Sequence, residues 1–197
     1  MSREKQASNA DDVSIQNKMK ILFVRHGETD TNIKEKQGEA IIEDDAPLNE
    51  NGKKQANDVA RQLKNERIDA IFTSPYKRAT ETAEIIAQFH HVPIIKLNEL
   101  RERSCGTLVG DRFHELFDFD KDIRGDGIEP VGDFFQRVYN TIEKIRASGY
   151  NNIIVVSHGG VSHAFRAYFN NLEWKGNLRV DRLKNCDFRV YWAEKTS

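Results

Sequence analysis

The chain has 197 residues, of which 38% are hydrophobic and 31% are charged, and its formal net charge is −1 at pH 7. This length and composition suit one globular domain, and the balanced charge excludes broad electrostatic capture of nucleic acid or of anionic membrane. No run approaches the roughly 20 apolar residues of a membrane span, and the two cysteines, Cys105 and Cys186, lack metal-type spacing.

Segments with strand-like and helix-like apolar spacing alternate along the chain, which predicts a mostly parallel sheet with helices on both faces. The predicted strands are residues 20–24, 70–73, 93–97 and 153–156, and a last one with Phe188, Val190 and Trp192 in alternation. Helices are predicted at about 50–65, after Pro75, at about 131–147 and after His158. The fold class is therefore α/β, with one domain over residues 19–197 after a flexible extension over residues 1–18.

Side chains that can carry positive charge follow three of these strands. Arg25 and His26 come directly after the first, Arg78 lies just beyond the second, and His158 follows the strand at 153–156. Ligands of open α/β sheets bind beyond the carboxyl ends of the strands, so these residues are expected to form a site that balances a dianion. Guanidinium groups fit phosphate, and imidazole acts as a nucleophile, a base or a metal ligand. Taken alone, Arg25 and His26 also fit a surface pair in a turn.

Five short motifs strengthen this interpretation because they occur in a fixed order along the chain. They are Arg25-His26-Gly27; Pro47 to Gly52 with Gln55-Ala56; Thr73-Ser74-Pro75 with Arg78-Ala79 and Thr82-Ala83; Leu100-Arg101-Glu102 with Gly106 and Gly110; and Ser157-His158-Gly159-Gly160. In these motifs the chain resembles the histidine phosphatase superfamily, also called phosphoglycerate-mutase-like. The resemblance implies a three-layer α/β/α domain with a mostly parallel sheet.

The resemblance also implies a metal-independent phosphomonoester hydrolase of the phosphatase branch that works through a phosphohistidine. His26 is expected to attack phosphorus, which requires one unprotonated ring nitrogen and a partner for the other, such as a backbone carbonyl near Gly27. Arg25, Arg78 and His158 are expected to supply the positive charge that Mg²⁺ supplies in other phosphoryl-transfer enzymes.

Three further site residues follow from their match to the family motifs. Glu102 is expected to be the general acid, because its spacing to Gly106 fits the motif and that of Glu99 does not. Asn32, six residues after His26, and the backbone N–H of Gly159 are expected to contact the phosphoryl group. An asparagine in a turn and a solvated loop carboxylate are the structural alternatives for Asn32 and Glu102.

The expected partner is a small phosphorylated metabolite, with no metal, no cofactor, no nucleic acid and no membrane. Few cysteines and the lack of an apolar signal core favour a cytoplasmic location, and the oligomeric state is not determined. A cofactor-dependent phosphoglycerate mutase is the main alternative, and a catalytically silent phosphate-binding scaffold is another. His158-Gly159-Gly160 and a short 103–130 segment favour the phosphatase.

Residues 103–130 form the least regular part of the sequence and are expected to be a lid over the site or, alternatively, a packed surface insertion. Within them Cys105 and Val109 stand where the family usually carries an aromatic and an acidic residue. These departures affect the expected substrate more than the expected chemistry.

Overall fold

The computed structural model describes residues 18–37, 45–106, 118–121, 123–125, 127–173 and 183–195. The strands are β1 (Lys18–Arg25), β2 (Ala70–Thr73), β3 (Ile94–Lys96), β4 (Asn152–Ser157) and β5 (Phe188–Glu194). The α-helices are α1 (Asp30–Gln37), α2 (Glu50–Leu63), α3 (Lys77–Ala87), α4 (Val131–Arg146) and α5 (Gly159–Phe169). Most of the expected extension over residues 1–18, and the central part of the expected lid, lie outside the described residues.

The sheet has five strands in the order β3-β2-β4-β1-β5. Strand β1 pairs with β4, β4 with β2 and β2 with β3 in parallel, whereas β5 runs antiparallel to β1 at the edge. The register places Arg25 opposite Ser157 and Thr73 opposite Val156. The carboxyl ends of β1, β2 and β4 therefore meet at one edge, and the predicted mostly parallel α/β fold is confirmed.

Helices cover both faces of this sheet because side chains on a strand alternate between them. On β1, Phe23 packs with Phe134 and Phe165 of α4 and α5, whereas Leu22 packs on the opposite face with the buried side of α2 and α3. These two apolar clusters form the two layers of core between sheet and helices. The three-layer arrangement expected from the sequence is thus the observed one.

Strand β5 lies where the last strand was predicted, but its better-buried face carries Tyr191 and Ala193 rather than Val190 and Trp192. Tyr191 and Ala193 are buried with α4 and α5, whereas Val190 is 43% and Trp192 is 54% exposed. Strand β5 lies at the edge of the sheet, where Val190 and Trp192 are left at the surface.

Among the described residues, no helix has both the length and the apolar character that crossing a bilayer requires.

Candidate active site

His26 lies directly after β1, in a loop that is fastened to the carboxyl end of β4. Its backbone N–H donates to the carbonyl oxygen of Ser157 at 2.9 Å, and the residue is 3% exposed. The ring nitrogen Nδ1 lies 2.7 Å from the carbonyl oxygen of Gly27. Because a carbonyl oxygen only accepts, Nδ1 carries a proton, and in the neutral ring the lone pair is therefore on Nε2. The ring therefore has the tautomer that a nucleophile needs, with the backbone partner predicted near Gly27.

His158 precedes α5 and lies against His26, with the two ring centroids 5.1 Å apart. Its Nε2 lies 2.8 Å from Oγ of Ser74, which follows β2. Within the described residues, its Nδ1 is buried and has no hydrogen-bond partner. Burial lowers the pKa of His158 well below its usual range, and the neighbouring charges of Arg78 and Arg25 lower it further. The imidazole is therefore neutral in the ligand-free protein at neutral pH.

Two arginines approach the histidines from different sides. The Arg78 guanidinium lies over the ring of Tyr76, 4.8 Å from its centroid, and that ring lies 5.4 Å from the ring of His158. Arg25 is 5% exposed, and its Nη1 donates to the carbonyl oxygen of Leu183 at 2.7 Å. Both charges act on His158, so the site concentrates positive charge at the ends of β1, β2 and β4, where an anion is favoured.

Asn32 lies in the first turn of α1 and is 9% exposed. Its amide oxygen accepts from the backbone N–H of Thr29 at 3.3 Å and from Nδ2 of Asn185 at 3.1 Å. The same Nδ2 also donates to the carbonyl oxygen of His26 at 3.0 Å. With its oxygen engaged in this way, Asn32 has its NH₂ group as the end that can donate to a ligand.

The carboxylate of Glu102 contacts the first turn of α5, the helix that begins directly after His158. Its Oε2 accepts from the backbone N–H of Gly160 at 2.8 Å, and its Oε1 accepts from the N–H of Arg103 at 3.0 Å. Glu99, the alternative acid, pairs instead with Nζ of Lys144 on α4 at 3.7 Å. The structure thus separates the two glutamates that the sequence placed only three residues apart.

Gly159 is the first residue of α5 and is buried beside His158. Backbone N–H groups in the first turn of a helix have no acceptor within that helix, and the helix dipole favours an anion there. The five residues expected to act together, with Asn32 and Gly159, therefore lie around one edge of the sheet.

The loop that carries His26 is held by a close backbone contact between Glu28 and Gly52 of α2. Asn49 caps α2 by accepting from the N–H of Gly52 at 2.8 Å. A Cβ on Gly52 would lie 2.1 Å from the carbonyl oxygen of Glu28, so only glycine permits this approach of helix and loop. Hydrogen bonds from Lys36 and Asn51 hold the pKa of the Glu28 carboxyl below its usual range.

Sequence reasoning assigned no role to four residues that shape the site. Thr82 Oγ1 accepts from the N–H of Gly27 at 3.1 Å, and Ser74, Tyr76 and Asn185 hold the contacts described above. Ser74 and Thr82 belong to the third motif, so a signal for them existed. Asn185 lies 159 residues beyond His26, and no motif surrounds it.

In the described part of the chain, no group of three or more His, Cys, Asp or Glu side chains is arranged to hold a metal ion.

Comparison with known proteins identifies relatives along nearly the whole chain. The chain is 34% identical over 178 residues to the uncharacterized phosphatase PhoE of Bacillus subtilis, with 89% of each chain covered. It is 33% identical to a metal-independent phosphoserine phosphatase of Arabidopsis thaliana, covering 89% of this chain and 79% of the relative. Its fold matches that of a phosphoserine phosphatase of Entamoeba histolytica in complex with 3-phosphoglyceric acid, with a TM-score of 0.69, 26% identity, and coverage of 87% of this chain and 89% of the other.

A family model covers the same region and includes every residue of the site. The model that describes branch 1 of the histidine phosphatase superfamily matches residues 21–194, from β1 through the last strand. The histidine pair lies at adjacent strand ends, and the relatives share about a third of their residues with this chain. Because the family model also matches nearly the whole chain, the chain belongs to the histidine phosphatase superfamily.

Proposed function

We propose that this protein, a phosphatase of small phosphorylated metabolites, transfers the phosphoryl group of its substrate to Nε2 of His26 and then to water. The observation that carries the proposal is the 2.7 Å contact between Nδ1 of His26 and the carbonyl oxygen of Gly27. In the neutral ring this contact fixes the tautomer with the lone pair on Nε2, and that nitrogen is then the nucleophile.

In the first step, the Nε2 lone pair attacks phosphorus and the P–O bond to the leaving group breaks. The leaving oxygen takes the electron pair of that bond and a proton from Glu102, which enters this step as the carboxylic acid and leaves it as the carboxylate. In the second step, water attacks the phosphohistidine, Glu102 takes a proton from that water, and the P–N bond electrons return to Nε2. Inorganic phosphate leaves and the starting state is restored.

The surrounding residues neutralise the charge of the phosphoryl group. Arg25 and Arg78 are the fixed cations, and His158 is neutral until a dianion arrives. The amide of Asn32 and the N–H of Gly159 add donors to the phosphoryl oxygens. Because positioning and charge neutralisation supply most of the catalysis of phosphoryl transfer, we propose that these residues replace a metal ion.

For the substrate we propose a small phosphorylated hydroxy acid or amino acid, with phosphoserine as the first compound to test. The support is that two of the relatives are named phosphoserine phosphatases. We further propose a cytoplasmic location, supported by the low number of cysteines, Cys105 and Cys186, in the sequence.

The test is release of inorganic phosphate from a panel of phosphorylated metabolites by the purified full-length protein in EDTA. Phosphoserine and 3-phosphoglycerate belong to the panel, and the products of 3-phosphoglycerate are separated. Stoichiometric phosphate release from at least one compound is expected. Isomerisation of 3-phosphoglycerate without phosphate release would instead identify a mutase, and binding of phosphate without any turnover would identify a scaffold.

A further inference from the structure

The backbone N–H of Gly160 donates to the carboxylate of Glu102, and the reaction steps proposed for the site assign no role to Gly160. We propose that Gly160 is a positioning residue, because its lack of a side chain allows the first turn of α5 to hold the Glu102 carboxylate beside His158. The inference rests on the proposed role of Glu102 as the acid of the reaction.

The space at Gly160 is filled by the Glu102 side chain. The Gly160 N–H donates to Oε2 at 2.8 Å. A Cβ built on Gly160 would lie 2.3 Å from Oε1 and 3.1 Å from the carboxyl carbon. Real Cβ atoms do not approach other atoms at 2.3 Å, so any side chain at position 160 displaces this carboxylate.

The backbone conformation does not require glycine at this position. Gly160 lies inside α5, and the described glycines with positive φ are Gly106, Gly127 and Gly149. Alanine is a better helix former than glycine, so the helix itself favours alanine here. The atom in the way is the end of a flexible side chain rather than backbone. An alanine is therefore expected to leave the fold intact while it moves the carboxylate.

The backbone of Glu102 is held independently of Gly160. Arg137 of α4 donates to the carbonyl oxygens of Glu99 and Arg101, and its guanidinium also pairs with the carboxylate of Glu129, with Nη2 and Oε2 2.7 Å apart. These contacts fix the segment that precedes Glu102. Replacing Gly160 therefore changes the direction of the Glu102 side chain and leaves its Cα in place.

Gly160→Ala is tested against two substrates that differ in their need for a proton. With an alkyl phosphate, we expect kcat to fall on the order of 10²-fold, the effect of a displacement of about 1 Å at a reacting group. With p-nitrophenyl phosphate, whose leaving group is a stable phenolate, kcat should change little. The inhibition constant of inorganic phosphate should stay unchanged, and Tm should stay equal or rise.

Lys54→Ala is the control, because Lys54 is exposed on α2 and belongs to none of the residues that form the site. It should leave the ratio of the two kcat values unchanged. The combination of Gly160→Ala with Glu102→Gln should lose no more alkyl phosphatase activity than Glu102→Gln alone, because both changes remove the same proton transfer.

Three other outcomes would each overturn either the positioning role of Gly160 or the acid role of Glu102. If Glu102→Gln slows the alkyl phosphate selectively while Gly160→Ala leaves the substrate ratio unchanged, the positioning role is wrong and the proposed function stands. If Gly160→Ala lowers both substrates and Tm together, Gly160 is structural. If Glu102→Gln itself slows both substrates equally, the proposed acid is wrong, and the positioning role is overturned with it.

Discussion

The imidazole rings of His26 and His158 meet edge to face, with their centroids 5.1 Å apart, although 132 positions separate them in the sequence (158 − 26). Their strands, β1 and β4, are hydrogen-bonded neighbours with Arg25 opposite Ser157. The pair therefore follows from strand order, and it joins a ring whose Nδ1 is held by the Gly27 carbonyl to a buried neutral ring. The predictions below test the roles assigned to this pair and to the residues around it.

The first prediction concerns His26 as the site of the covalent intermediate. His26→Ala should lower kcat on the order of 10⁴–10⁶-fold, as removal of a nucleophile does elsewhere. Rapid quenching of the wild type with labelled substrate should trap a phosphoryl group that is stable in alkali and lost in acid. The variant should trap none. His91→Asn is the control, since His91 is exposed beyond α3 and has positive φ, which asparagine tolerates. Full activity in His26→Ala would refute the assignment.

The second prediction concerns the pH dependence of stability that His158 causes. Below about pH 6.5, its ordinary pKa, the unfolded chain takes up a proton that the buried imidazole does not accept. The unfolded state then binds more protons, so the free energy of unfolding should fall as pH falls below this value. In His158→Asn the fall should be shallower by up to about 1.4 kcal/mol per pH unit. Urea unfolding at pH 7.5, 6.5 and 5.5 measures it, and parallel slopes would show that His158 is protonated when folded.

The third prediction is that chelation leaves the activity intact. Arg25 and Arg78 provide the positive charge near His26 that a metal ion would otherwise provide. After dialysis against EDTA, the specific activity should equal that of the untreated protein. Arg78→Ala should lower kcat/KM for alkyl and aryl phosphates alike, because the phosphoryl charge is common to both. Activity lost in EDTA and restored by Mg²⁺ or Zn²⁺ would overturn the proposed charge neutralisation.

The fourth prediction separates Glu102 from its neighbour Glu99. Glu102→Gln should slow hydrolysis of an alkyl phosphate by roughly 10²–10⁴-fold, the usual contribution of general acid catalysis. It should slow p-nitrophenyl phosphate much less, because a phenolate departs without a proton. Glu99→Gln is the matched control and should change neither rate, since the Glu99 carboxylate pairs with Lys144 on α4. A selective effect of Glu99→Gln on the alkyl phosphate would assign the acid to Glu99.

The fifth prediction concerns Gly52, whose contact with the His26 loop is between backbones. Gly52→Ala should lower the free energy of unfolding by about 1–3 kcal/mol, because the new Cβ would meet the Glu28 carbonyl and the backbone must move. Activity should fall with it, since the loop carries His26. Chemical denaturation and phosphatase assays measure both effects. Lys53→Ala, which removes an exposed ion pair with Glu50, should leave the stability nearly unchanged, because solvent screens such pairs.

Short-range patterns in the sequence predicted all five strands and four of the five α-helices, but not α1 (Asp30–Gln37). Parallel strands buried on both faces consist of apolar runs, so residues 70–73 were predicted with the bounds that β2 has. Amphipathic spacing predicted α4 within one residue at its end, because a helix on a sheet buries one stripe. His26, Arg78 and His158 were selected as candidates because a residue at a strand end is defined by its local sequence, and the structure places them at adjoining strand ends.

Tertiary structure decided what depends on residues distant along the chain. The sequence did not predict that Asn185 links the His26 carbonyl to Asn32, since no local pattern marks that contact. It also did not reveal that Glu99 and Glu102 diverge, one towards Lys144 and the other towards Gly160. Two side chains three residues apart acquire different partners only when the chain has folded, because the helices that supply those partners are brought there by the packing of the sheet.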